Sequence, residues 1–336
     1  MTGWRRWGAA VAGLALAGTI AMAGPASAQQ SSTEVQVQAQ APAPAQPTEE
    51  QTRPRGDATQ GPAVTPATAS DEKGPNTGRV GLVAGVDWLS AYYFRGIANE
   101  QNGGNNVQPW GEIGFRLLEN MGPLTSLSVG AGLWNNWHYG GGTLVEPSDP
   151  KFWFEADIYV KLSTIWWDAL TTGVTYTYYT SPNDSFTSYA DVGLYANLND
   201  SKWLGAFALN PSIIFAFETK GEALAADGKK GIYMGIGLAP GYTFFEDAKF
   251  PVNISLPMTF GFSLKDYYTV NGQNQTFGYF SGGPLITMPL KFIPATFGSW
   301  ALKAGVQFLA LNSNLKAVNT NSGFVPIGSV GLSLTY

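Results

Sequence analysis

The chain has 336 residues, of which 44% are hydrophobic and only 13% charged, about half the charged share of an ordinary soluble domain. It carries 11 Trp, 15 Tyr and 19 Phe beside 41 Gly, and its formal net charge is −5. The lack of cysteine excludes disulfides, thiolate metal sites, a cysteine nucleophile and lipid attachment at a cysteine, and the acidic balance argues against a nucleic-acid partner, which needs a basic footprint.

At the start of the chain, Arg5 and Arg6 precede an apolar run over residues 9–23, and Ala26-Ser27-Ala28 offers an A-x-A cleavage site before Gln29. This pattern predicts a secretory signal peptide over residues 1–28. The paired arginines lack the rest of a twin-arginine signal. A membrane-anchor helix is the weaker alternative, because the run is short for a bilayer and rich in Ala and Gly. Residues 29–78 are mostly Gln, Ala, Pro and Thr with almost nothing to bury, which predicts a disordered periplasmic linker.

From residue 79 to residue 336, apolar and polar residues alternate with period two. In FWFEADIYVKL (residues 152–162), Phe152, Phe154, Ala156, Ile158, Val160 and Leu162 share one parity, and Trp153, Glu155, Asp157, Tyr159 and Lys161 share the other. Strands are predicted near 80–97, 106–118, 124–138, 151–163, 168–180, 186–198, 206–219, 230–243, 250–264, 276–292, 299–312 and 325–336. Compact connections such as ENMGP and TIW alternate with longer polar ones such as TKGEALAADGK, KDYYTVNGQNQ and NSNLKAVNTNSGF. Short turns at one rim and long loops at the other are the pattern of an outer-membrane barrel. The expected fold is therefore all-β: a transmembrane antiparallel β-barrel of about 12 strands over residues 79–336, in a bacterial outer membrane.

The apolar register of these strands holds no Asp, Glu, Lys or Arg, as a lipid-facing surface requires. The opposite register holds Asp87, Arg95, Glu112, Arg116, Glu155, Asp157, Lys161, Asp191, Lys291 and Lys303, predicted to line a pore, together with Lys151 and Glu218. By height, Arg116, Lys161, Lys291 and Lys303 should gather at the periplasmic mouth. Asp87, Glu112, Glu155, Asp157 and Asp191 should lie at middle or upper levels. Tyr159, Tyr189, Tyr195 and Tyr233 should narrow the lumen. Pro211, Pro257 and Pro289 fall inside expected strands, where each removes a ladder hydrogen bond. The ending VGLSLTY places Val330, Leu332, Leu334 and Tyr336 on one face, like the C-terminal signal read by barrel assembly machinery.

Catalytic chemistry is sparse. The single histidine, His138, sits in WNNWHYGGG near Asn135 and Asn136, but Gly140 stands where a closely spaced serine would be expected and Ser126 and Ser128 lie well down the strand. A rim position in an aromatic girdle is the simpler assignment. Glu155 and Asp157 could form a carboxylate pair or hold a cation weakly, though solvated lumen charges are the simpler account. No catalytic residue, cofactor or metal site is expected.

DWLSAYYFRGI at residues 87–97 resembles the S-x-Y-x-F-R-G signature of the TorF-like family of porins, bacterial outer-membrane proteins of largely unassigned substrate. The matching residues are Ser90, Tyr92, Phe94, Arg95 and Gly96. Further echoes are Glu155 and Asp157, Tyr176 and Tyr178, and Asp191, where the family favours Glu. The similarity spans roughly residues 80–198. It implies that the motif closes the first strand and leads into a polar first loop. Pattern and resemblance together lead to a porin-like channel for small hydrophilic solutes or ions, narrow and weakly cation-selective. A non-conducting structural or adhesive barrel is the alternative, and a His-dependent lipid hydrolase ranks third. The partners expected are outer-membrane lipid, the assembly machinery and the solute itself.

Overall fold

In the computed structural model, which describes residues 78–100, 105–139, 152–221, 223, 229–245, 250–319 and 322–336, successive antiparallel strands pair around a closed wall. Strand β1 (Val80–Leu89) is followed by a short hairpin, β2 (Tyr92–Phe94) and β3 (Ile97–Glu100). The wall continues through β4 (Asn105–Met121), β5 (Leu124–Tyr139), β6 (Trp153–Trp166), β7 (Leu170–Thr180) and β8 (Tyr189–Leu198). After the short helix α1 (Ser201–Leu204) come β9 (Ser212–Lys220), β10 (Ile232–Leu238), β11 (Gly241–Phe244), β12 (Val252–Ser255) and β13 (Met258–Lys265). A small ribbon, β14 (Thr269–Val270) and β15 (Gln273–Asn274), leads to β16 (Phe277–Gly282), β17 (Leu285–Pro289) and β18 (Ser299–Leu311). Helix α2 (Ser313–Val318) precedes the last strand, β19 (Phe324–Thr335).

Three of these strand pairs, β10 with β11, β12 with β13, and β16 with β17, are single wall strands broken in the middle, so the wall has twelve strands. Closure is made by β19, whose Val330 stands opposite both Trp88 of β1 and Ala304 of β18. The last residue completes the seam: Leu82 and Tyr336 exchange both backbone hydrogen bonds at 2.7 Å. A barrel leaves no unpaired edge, the condition for strands to lie in lipid.

The outer surface is apolar. On β6, Ile158, Val160 and Leu162 are 59, 52 and 45% exposed, while Asp157, Tyr159 and Lys161 between them are buried inside. The alternation breaks at one point. Phe154 turns inward and Trp153 outward, because β5 and β6 slip register between Asn136 and Trp137. One extra residue in a strand reverses every side chain beyond it.

Three expected boundaries are corrected, the first being the seventh strand, which begins at Ser212 rather than residue 206 because residues 205–207 form a 3-10 turn ahead of Pro211. The first strand stops at Leu89 rather than running to residue 97, and the motif segment leaves the wall as the β2–β3 hairpin. The fourth strand continues to Trp166 and turns on Trp167 (φ 52°) and Asp168 (φ 58°), the left-handed pair of a tight hairpin. The signal peptide, most of the linker and Lys151 lie outside the described residues.

Proline accounts for the broken strands. Pro240, Pro257 and Pro284 occupy the three gaps, Pro211 lies just before β9, and Pro289 closes β17. Across the gaps, Leu256 N–H donates to Pro240, Gly283 N–H to Pro257 and Val306 N–H to Pro284, at 2.8, 3.3 and 3.1 Å. Each proline accepts but has no N–H to return, so three adjacent strand junctions each lose half of a hydrogen-bonded pair along one row.

On the inner face, glycines stand directly opposite large rings: Gly85 opposite Trp110, Gly132 opposite Tyr159, Gly173 opposite Tyr195 and Gly261 opposite Tyr279. A methyl group on any of these glycines would collide with the facing ring. The rings thus lie flat across the neighbouring strand, which is how the wall holds so many aromatics inside.

Candidate functional site

The β2–β3 hairpin folds into the lumen. Phe94 pairs with Ile97 across a two-residue turn, Arg95 (φ 48°) and Gly96 (φ 82°), both left-handed as this turn geometry demands. Gly96 is also where the chain passes closest to its surroundings, since a methyl group there would press on Leu315 at 2.8 Å and Tyr279 at 2.9 Å. Asn319 clamps the turn from the other side. Its side chain accepts from the Ala98 N–H at 2.9 Å and donates to the Gly96 carbonyl at 2.7 Å. The Tyr268 hydroxyl donates to the Arg95 carbonyl at 2.9 Å.

Every residue of the S-x-Y-x-F-R-G motif has a contact that holds this plug. Ser90 donates its N–H to Gly328 at 3.0 Å and accepts the Gly328 N–H on its hydroxyl at 2.9 Å, tying the hairpin's root to β19. The Tyr92 hydroxyl donates to Glu155 at 2.8 Å. Burial, with the charges of Glu155 and Asp157 beside it, holds the Tyr92 phenol well above its ordinary range and so keeps it a donor. Phe94 meets Tyr179 edge-on at 5.4 Å.

Arg95 is wholly buried. Its guanidinium donates to Asp191 at 2.9 Å and to the Tyr267 hydroxyl at 3.3 Å, and lies 4.7 Å from the ring centres of Phe94 and Tyr233. Cation–π contacts shielded from water are worth about 2 kcal/mol or more, which helps a guanidinium survive there.

The other charges expected to line a pore are distributed as follows. Glu112 is paired with Lys161 at 2.6 Å and accepts from the Tyr159 hydroxyl at 2.7 Å. Asp87 accepts from the Trp110 indole at 2.9 Å and lies 3.9 Å from Lys303. Arg116 reaches Glu119 at 2.7 Å near the turn after β4. Glu218 accepts the N–H groups of Gly231 and Ala223 at 2.6 and 2.7 Å. Asp157 is 1% exposed, and neither carboxylate oxygen has a hydrogen-bond partner among the described residues.

Two expectations are corrected here. Lys291 is not on the lumen wall but on the exposed rim turn, because Pro289 ends β17 before it. Nor are the bases segregated from the acids, since Lys161 and Lys303 reach across the wall to Glu112 and Asp87. The expected narrowing is present: Tyr159, Tyr189, Tyr195 and Tyr233 are all buried inside. Tyr176 and Tyr178 belong to the opposite parity of β7, and Lys220 sits over the Tyr178 ring at 4.5 Å.

His138 faces inward near the upper end of β5, stacked on Phe154 at 4.5 Å. Ser126 and Ser128 are near the opposite end of that strand, beyond the reach of its ring. No group of three or more His, Cys, Asp or Glu among the described residues is arranged to hold a metal ion.

Sequence reasoning missed Tyr267, Tyr268, Leu315 and Asn319, which belong to segments expected to be polar loops. The available signal was the apolar and aromatic residues inside those segments, with Leu315 completely buried.

No family model matches this chain, and no curated protein sequence matches it. Among solved structures it is similar to an outer membrane channel from Pseudomonas putida F1, at 12% identity over 80% of this chain and 100% of the other, with TM-score 0.46. It is also similar to the NanC porin, at 10% identity over 75% and 98% of the two chains, with TM-score 0.38. A third is outer membrane phospholipase A from Escherichia coli, at 12% identity over 75% and 92%, with TM-score 0.34.

Proposed function

We propose that this chain is a bacterial outer-membrane channel of porin type, narrow and weakly cation-selective, in which the β2–β3 hairpin sets the aperture for small hydrophilic solutes or ions. The observation that carries this reading is the sorting of the wall, with bare aliphatic side chains outside and ionisable ones inside. A lipid-facing charge costs about 2–4 kcal/mol at the bilayer midplane, whereas an inward one can serve a passing ion. Cation preference follows from the acids: among the described residues Glu155, Asp157 and Glu218 have no ion pair with a base, while Lys161, Lys303 and Arg95 each have an acid.

The resemblance to TorF-like porins adds to this proposal through a motif whose residues all serve the plug. Residues 29–78 are the periplasmic linker in this reading, and Val330, Leu332, Leu334 and Tyr336 form the signal for the assembly machinery. No catalytic role is assigned to His138.

The test is a planar-bilayer recording under a salt gradient. Wild-type protein should show small steps with a cation-selective reversal potential, and the Glu155→Gln, Asp157→Asn double variant should move that potential toward zero. A potential unmoved by the double variant would remove these carboxylates from the conducting path. The second reading, a non-conducting structural barrel, is favoured by the rings of Tyr179, Tyr233 and Tyr279 packed around the hairpin. It requires that no current flow even in a variant lacking the hairpin.

A further inference from the structure

Among the described residues, Asp157 is a lumen carboxylate with no hydrogen-bond donor on either oxygen. It is 1% exposed. The ion pairs inside the wall serve its neighbours: Arg95 serves Asp191, Lys161 serves Glu112 and Lys303 approaches Asp87. None of these bases also pairs with Asp157 among the described residues. An unpaired buried carboxylate is among the most costly groups to keep in a protein.

What surrounds it is aromatic. Trp134 of β5 and Tyr179 of β7 stand directly opposite Asp157 on its two neighbouring strands. Tyr92 packs onto Trp134 from the hairpin, with the two ring centres 5.5 Å apart. Rings with a carboxylate favour an organic cation over a bare ion, because ring faces attract cations and the acceptor oxygens want N–H donors. Ca2+ or Mg2+ would instead call for six or more oxygen ligands. The chain already uses this chemistry next door, where Asp191, Phe94, Tyr233 and Tyr267 enclose the guanidinium of Arg95.

We propose that Asp157, between Trp134 and Tyr179 and beneath Tyr92, is a binding site for an organic cation carrying N–H donors, a guanidine or a primary amine. This rests on the reading of the lumen as a solute path, and names the class of solute that pauses there. Because Asp157 is closed over, entry lifts Tyr92 away from Glu155, and Arg95 remains on Asp191 as a second, built-in cation.

The probe is agmatine, which carries one guanidinium and one ammonium, titrated calorimetrically into the purified full-length protein in detergent. Agmatine should bind, and Asp157→Asn should weaken it by about 10-fold to 100-fold, the loss expected for charge-assisted hydrogen bonds. Glu119→Gln, at the rim, should leave binding unchanged. On wild-type protein alone, tetramethylammonium, which has no N–H, and Mg2+ should each bind at least about tenfold more weakly than agmatine. Equal binding of either, or agmatine binding untouched by Asp157→Asn, would overturn the proposal. So would no binding at all. Calorimetry needs no current: binding without conduction would keep the site and remove the channel reading, and conduction without binding would do the reverse.

Discussion

Arg95 and Asp191 are 96 positions apart in sequence and 2.9 Å apart in the lumen, with both side chains sealed from solvent. One lies on the tip of the β2–β3 hairpin and the other on the far wall, so this ion pair is the bolt between plug and barrel. A buried pair contributes less than its attraction, because both charges lose water, but removing one partner leaves the other stranded. Arg95→Ala or Asp191→Asn should therefore cost about 3–5 kcal/mol, whereas Arg95→Met with Asp191→Leu should be more stable than either single variant. Denaturant unfolding of refolded protein measures this, and limited proteolysis should cut near the hairpin in the single variants only.

The outer face makes a depth-dependent prediction. Ile158 and Val160 lie mid-strand on β6 and Trp153 lies at its upper end, all three exposed on the outside. Arginine at 158 or 160 should destabilise the barrel by about 2–4 kcal/mol, and Trp153→Arg by about 0–1 kcal/mol. Heat-modifiable gel mobility reports assembly. Equal loss at the three positions would mean that the bilayer does not centre on this part of β6.

Tyr92 gives the hairpin a pH limit. Burial and the nearby carboxylates raise its phenol above the ordinary value of 10.0, so the folded state holds this proton more tightly than the unfolded chain. The stabilisation is complete below about pH 10, the unfolded value, and is lost as pH rises toward the folded one. The hairpin should loosen under alkaline conditions, seen as faster protease cutting above about pH 10. Tyr92→Phe lacks the hydrogen bond to Glu155. It should be less stable at neutral pH, with a shallower alkaline decline.

Much of the wall was legible because a strand's period is two. Ile158, Val160 and Leu162 could be assigned outward, and Asp157, Tyr159 and Lys161 inward, from alternation alone. Phe154 escaped because a slipped register leaves no mark in composition. Arg95 was legible as an inward charge but not as a plug. Nothing local in FRGI says that its turn will meet Asp191, Tyr267 and Asn319, contacts that arise only when two distant loops and the far wall meet the hairpin. The pairing of Lys161 with Glu112 was likewise invisible, since height along a strand does not give reach across the tilted wall.

The proline row makes the last prediction. At Leu256, Gly283 and Val306 the wall holds one bond where an uninterrupted pair would hold two. Each missing bond forgoes about 0.5–1.5 kcal/mol, and lipid offers the orphaned carbonyl no replacement. Amide hydrogens at these three positions should therefore exchange faster than those in the middle of β6 and β7, where pairing is continuous. Pro257→Ala supplies the N–H that faces Gly283, and should slow exchange at Gly283 while leaving β6 and β7 unchanged. Its effect on global stability should be small, because alanine also returns about 0.4–1 kcal/mol of freedom to the unfolded chain. Exchange at the three positions as slow as in β6, in protein reconstituted into bilayers, would show that the row is no weaker than the rest of the wall.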